Sequence, residues 1–143
     1  MSKDEQAPSS PGNPQTCSAV ASLPAILPIF PLPGVLLLPR GVLPLNIFEP
    51  RYIAMVDDAL KTDRMIGMIQ PRNDGAAGNG MGLYETGCAG RITAFEETTD
   101  QRYIITLTGI SRFRIGRELE LRDGFRRVAP VWSPFAHDLR TVE

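Results

Sequence analysis

Residues 17–39 contain no charged side chain, yet Pro24, Pro28, Pro31, Pro33 and Pro39, together with Gly34, interrupt them repeatedly. An uncharged run of this length is enough to cross a bilayer as a helix. Proline at this density removes backbone donors and clashes with the preceding turn, so a spanning helix does not survive. A secretory leader is disfavoured on related grounds: the N-terminus reads "MSKDEQ", without a basic region, and the apolar run is broken by proline. The reading that remains, with no membrane role, is a set of short buried strands separated by turns. "LPAILPIFPLPGVLLLPRGVLPLNIF" (23–48) supplies two or three of them, with "LPGV" (32–35) and "PRG" (39–41) as turns. Proline at strand ends suits strand starts and sheet edges, where a missing N–H costs no ladder bond.

Downstream, one segment has helical periodicity. In 50–61, Tyr52, Ile53, Val56, Ala59 and Leu60 recur at three- and four-residue spacing, while Arg51, Asp57, Asp58 and Lys61 lie on the other sides. Three turns are too few to stand alone, so this helix needs a sheet to pack on. "MIGMIQ" (65–70) reads as a buried strand, and "PRNDGAAGNGMG" (71–82) as a long flexible loop. "GCAGRITAFEE" (87–97) and "RYIITLTGISRFRIG" (102–116) read as a long antiparallel hairpin around "TTDQ". In its second arm Tyr103, Ile105, Leu107, Phe113 and Ile115 share one parity and Thr106, Thr108, Arg112 and Arg114 the other. "VAPVW" (128–132) is a last candidate strand. The fold class is therefore mainly β with one conspicuous helix (α+β), a small barrel or curled sheet with the helix on its side. A chain of 143 residues with 43% hydrophobic content suits one domain and one packed core. The expected organisation is a disordered tail at 1–22, a β-rich domain at 23–138, and at 139–143 the start of a further C-terminal segment.

Much chemistry is absent. "LKTD" (60–63) has the Lys-Thr pair of a phosphate loop but no preceding glycines. "GAAGNGMG" (75–82) is spaced wrongly for a dinucleotide fingerprint, with Leu83 where a third glycine belongs. His137 is the single histidine, and Lys61 ends an amphipathic helix, so neither a triad nor a poised Ser–Lys pair is in view. Cys88 and His137 cannot supply a zinc site between them. Cys88, between Gly87 and Ala89, reads as a small buried residue. Cys17 and Cys88 do not suggest a disulfide, because Cys17 falls in the tail; this fits a reducing, cytoplasmic setting. No catalytic residue, metal or cofactor is expected.

Two features remain. Residues 101–127 hold seven arginines against three acids, although the whole chain has a net charge of −1. Arg112, Arg114 and Arg117 are candidates for a nucleic-acid face. The plainer alternative is a solvated strand face, its arginine stems lying over apolar surface. The other feature is "FEPRY" (48–52). Pro50 suits the first helical position, but Arg51 then falls in the first turn, where the helix dipole disfavours a cation, and Glu49 caps less well than Ser, Thr, Asp or Asn.

Taken together, "LPIFPLPGVLLLPRGVLPLNIFEPRY" (27–52), "IGMIQPR" (66–72), "LYETGCAGRI" (83–92) and "YIITLTGISRFRI" (103–115) resemble, in order, the substrate-binding N-terminal domain of ATP-dependent Lon proteases, which also occurs as a stand-alone bacterial protein. The resemblance covers roughly 25–138. It implies a PUA-like pseudobarrel with one helix, followed in longer members by a helical bundle. It also implies a module that recognises unfolded or tagged polypeptides, working with a Lon-type ATPase or protease. The ATPase and Ser–Lys peptidase lie in other domains, so the chain is expected to be non-enzymatic, with an RNA-binding PUA-like module as the alternative. In this frame "FEPRY" is a strand-to-helix corner. Phe48, Glu49, Arg51 and Tyr52 form either a structural latch, with Glu49 as the nearest partner of Arg51, or a polypeptide-binding site.

Overall fold

The computed structural model describes residues 23–72 and 82–139. Its organising element is the strand Tyr103–Glu118, which is long enough to serve two partners on one edge. Numbered along the chain, the elements are β1 (Leu27–Pro31), β2 (Val42–Ile47), α1 (Pro50–Lys61), β3 (Met65–Ile69), β4 (Thr86–Glu97), β5 (Tyr103–Glu118) and β6 (Arg126–Val131), followed by a 3₁₀ segment at Ser133–Leu139. The sheet runs β2-β5-β4-β3-β1-β6, and β6 returns to β5, closing the barrel. The first half of β5 pairs with β2, from Ile47↔Tyr103 to Val42↔Thr108. Its second half pairs with β6, from Arg114↔Val131 to Glu118↔Val128. Gly109 stands where the partner changes, and the reason is steric: a Cβ there would lie 2.0 Å from the Leu38 carbonyl oxygen.

β1 and β3 pair in parallel, joined through β2 and α1. Both are buried on both faces, which is why neither shows alternation in sequence. Phe30, Ile66 and Met68 face a core shared with Met55, Val56 and Ala59 of α1. Leu27, Ile29, Met65 and Ile69 face a second core around Phe113, Val128 and Trp132. β5 does alternate, burying Ile105, Leu107 and Phe113 and turning Ile104, Thr106 and Thr108 outward. The Trp132 indole N–H donates to the Pro24 carbonyl at 3.0 Å, satisfying the one polar atom of a buried ring.

The mainly β fold with one helix agrees with the sequence reading, as do the hairpin and the bounds of α1. Two strands, not three, form within 23–48. The buried face of α1 is centred differently from the expected stripe: Met55, Val56 and Ala59 are buried, while Tyr52, Ile53 and Leu60 are half-buried. Met55 stands three residues after Tyr52 and four before Ala59, so the same periodicity places it on the buried face, although the expected stripe did not include it. The expected loop at 71–82 is described only at its ends, where Arg72 N–H donates to the Gly82 carbonyl at 2.7 Å. Residues 73–81, the expected tail at 1–22 and residues 140–143 lie outside the described residues.

Candidate functional site

The "FEPRY" corner is built by conformational preference at each position. Glu49 takes an extended conformation (φ −71°, ψ 136°) that turns the chain from β2 into α1, and Pro50 follows it at the helix start. Glu49 makes no side-chain cap, and no acid occupies the first turn. Its carboxylate instead accepts a hydrogen bond from Arg51 Nε at 3.2 Å. The Arg51 guanidinium also lies 5.0 Å from the centroid of the Tyr52 ring. The pair is open to water, with the side chains of Arg51 and Glu49 exposed by 55% and 47%. An ion pair so placed contributes about 0–1 kcal/mol. Arg51 thus finds the carboxylate expected for it, but gains little fold stability from it.

Tyr52 is anchored more firmly. Its ring lies 4.2 Å from that of Phe30, and burial pushes its hydroxyl above the ordinary tyrosine range. Phe48, by contrast, is 64% exposed. Opposite the corner, residues 122–125 form a two-residue turn in which the Arg122 and Phe125 backbones bond reciprocally. Asp123 and Gly124 both have positive φ (50° and 90°), the requirement of a type I′ turn. Gly124 is needed twice over, because a Cβ there would also lie 3.2 Å from Arg51 Cβ.

These parts enclose a groove of about 440 Å³. The end of β1 contributes Phe30, Pro31, Leu32 and Pro33. The end of β2 and the corner contribute Leu45, Asn46, Ile47, Phe48, Glu49, Arg51 and Tyr52, and the facing turn adds Leu121, Gly124 and Arg126. The four corner residues singled out in the sequence therefore line one groove. Leu121, Gly124 and Arg126 were missed, although "DG" at 123–124 is a strong hairpin signal. Arg126 is held by Glu118 through two bonds, Nε to Oε2 at 2.7 Å and Nη2 to Oε1 at 2.9 Å. The groove is therefore apolar in its walls, with guanidinium groups and one carboxylate at its rim.

The arginine-rich segment is organised otherwise. Arg112 donates to Asp138 from its backbone N–H, from Nε and from Nη2, each at 3.0 Å, and stacks 4.8 Å over Phe135. Asp138 is buried, and hydrogen bonding to Arg112 holds its carboxyl below the usual range. The Arg112 guanidinium thus commits Nε and Nη2 to this carboxylate. Arg114 and Arg117 are exposed, without an ion pair among the described residues. Arg102 pairs with Asp100 at 3.1 Å, and Arg127 Nη2 donates to the Glu120 carbonyl at 3.3 Å. Cys88 is buried, and desolvation pushes its thiol up to about 12. Among the described residues no group of three or more His, Cys, Asp or Glu could hold a metal, and no helix is long and apolar enough to cross a membrane.

Residues 26–134 match the model of a family described as the ATP-dependent protease La (LON) substrate-binding domain. Lon protease 2 of Myxococcus xanthus is 34% identical over 98 residues, covering 65% of this chain and 11% of that protein. The Lon protease of Anaeromyxobacter dehalogenans is 32% identical over 98 residues, with the same coverage of 65% and 11%. The match thus spans about a tenth of the length of these proteases. Among solved structures, a Lon N-terminal domain protein from Xanthomonas campestris superposes with a TM-score of 0.61 at 30% identity, covering 75% of this chain and 59% of that one. The N-terminal domain of Mycobacterium avium complex Lon protease gives 0.59 at 15% identity, covering 75% and 54%, a likeness of fold alone. The chain belongs to the Lon substrate-binding domain family.

Proposed function

We propose that this chain is a non-enzymatic polypeptide-recognition module that holds unfolded or tagged protein segments in the corner groove and works with a Lon-type ATPase or protease. The observation that carries the reading is the groove itself. Apolar walls of the size that takes a few side chains meet two exposed hydrophobics at the mouth, Phe48 and Leu121, each 64% exposed. Unfolded chains offer hydrophobic side chains that folded proteins bury, and an apolar groove is complementary to them. The easily displaced Glu49–Arg51 pair supports the same reading, because opening it costs little stability. Arg112's engagement with Asp138 weighs against RNA binding through residues 101–127.

The test is a fluorescence-anisotropy titration with a labelled, reduced and carboxamidomethylated polypeptide, beside a labelled single-stranded RNA, at low and high salt. Saturable polypeptide binding that survives salt is expected, with no RNA signal. RNA binding that falls steeply with salt, without polypeptide binding, overturns the proposal, since phosphate contacts lose affinity steeply with ionic strength.

A further inference from the structure

We infer that the polypeptide is held as an added strand along the open edge of β2, leading into the corner groove. This deepens the polypeptide-recognition reading and rests on it. β2 ends the sheet order, and among the described residues no strand pairs with its far side. The phase of its backbone follows from two bonds. Gly109 N–H donates to the Gly41 carbonyl at 2.8 Å, and Thr98 N–H to the Arg102 carbonyl at 2.9 Å. In an antiparallel ladder a residue turns both its N–H and its C=O toward the same neighbour, and the next residue turns both away. With Gly41 opposite Gly109, residues Leu43, Leu45 and Ile47 face β5, and Val42, Pro44 and Asn46 face outward. The bond at Thr98 gives the same phase from the other side of β5: Ile104 and Thr106 face β4, leaving Tyr103, Ile105 and Leu107 for β2.

The outward edge therefore offers the N–H groups of Val42 and Asn46 and the carbonyls of all three residues. Asn46 itself lines the corner groove, so edge and groove are continuous. The charge pattern decides the occupant. Val42, Pro44 and Asn46, with Ile104, Thr106 and Thr108 beside them on the outer face, carry no charge. A segment with uncharged side chains on this face covers the exposed apolar surface of Val42 and Ile104, whereas a charged side chain there finds no partner and stays in water. A second copy of the chain fits less well. Self-pairing of two β2 edges sets Pro44 in both strands of the ladder, and each lacks the donor that pairing requires. A foreign strand needs only to accept from Val42 and Asn46 and to donate to the carbonyls between them.

The test is amide hydrogen exchange, read by NMR on the intact chain, with and without the reduced, carboxamidomethylated polypeptide. Slowing of the Val42 and Asn46 amides by at least tenfold, with Leu43 and Leu45 unchanged, is expected. In parallel, Asn46→Pro removes an outward donor without touching a β2–β5 bond, and is expected to weaken binding at least tenfold. Binding by anisotropy with no change at Val42 and Asn46 overturns the strand proposal while leaving the recognition reading intact. Protection of these amides that rises with protein concentration alone assigns the edge to a second copy and overturns it too. Absence of any polypeptide binding removes both.

Discussion

Two arginine–carboxylate pairs in this molecule use the same chemistry to opposite ends. Arg112 and Asp138 are joined by two side-chain bonds and one backbone bond, with the carboxylate buried and an aromatic ring stacked on the guanidinium. Arg40 Nη1 also donates to the Asp138 carbonyl at 3.3 Å, so the 3₁₀ segment is tied to the barrel wall from two directions. Glu49 and Arg51 share one bond at 3.2 Å, and both side chains are about half exposed. Burial and bond count separate them. A desolvated carboxylate cannot release its partner without leaving an uncompensated charge, whereas a hydrated pair exchanges its partner for water at little cost. The first pair belongs to the fold, and the second adds little to it.

The largest effect is expected from removing the buried carboxylate. Asp138→Ala should destabilise the protein by about 2–3 kcal/mol, because charged hydrogen bonds are lost and a backbone donor is left unpaired. Thermal unfolding followed by circular dichroism should show a fall in Tm on the order of 10 °C. A change under 2 °C would erase the distinction between the two pairs.

Acid sharpens the same contrast. Since Arg112 depresses the Asp138 pKa in the folded state, the stability this carboxylate contributes is present above its unfolded pKa of about 4 and is lost as pH falls through the folded value. The stability gap between the wild type and Asp138→Asn should therefore be full near pH 6 and shrink below about pH 4. A gap that stays constant down to pH 2.5 would contradict the assignment.

A third pair tests the alkaline side. The Tyr103 hydroxyl donates to Asp57 Oδ1 at 2.7 Å, and this bond is the main cause pushing its pKa up to about 12. A raised tyrosine pKa favours the protonated form, so its contribution is present below the unfolded value near 10 and disappears as pH rises from there to about 12. Tyr103→Phe should cost about 0.5–1.5 kcal/mol at neutral pH. In denaturant titrations the wild type should converge on the variant across that alkaline window.

The smallest effect on stability, and the most informative for function, is at the corner. Arg51→Ala should change stability by less than about 0.5 kcal/mol. Polypeptide affinity, measured by anisotropy, should nevertheless fall several-fold. A stability loss as large as that of Asp138→Ala would make the corner a latch, like the Arg112 clamp.

Legibility followed the range of each interaction. The hairpin of β4 and β5 was readable because period-two alternation and a polar turn are local properties. The uncharged proline-rich run announced short strands, and β1 and β3 showed as continuous apolar runs because both of their faces are covered. The Asp123-Gly124 turn carried a readable local signal, an Asp-Gly pair with positive φ at both positions. Nothing local could pair Arg112 with Asp138, which lies 26 residues away in sequence. The groove was half legible: "FEPRY" is contiguous, while Leu121, Gly124 and Arg126 reach it only through the closure of the sheet.

The amino-acid sequence by itself determined where strands, turns and the helix form, since proline, glycine and side-chain periodicity act on the backbone within a few residues. Tertiary structure alone decided that β5 exchanges β2 for β6 at Gly109, that Arg112 rather than another arginine is held by a buried carboxylate, and that a corner and a distant turn face each other across a groove. Those outcomes depend on burial and on contacts between residues far apart in the chain, and both come into being only when the barrel closes.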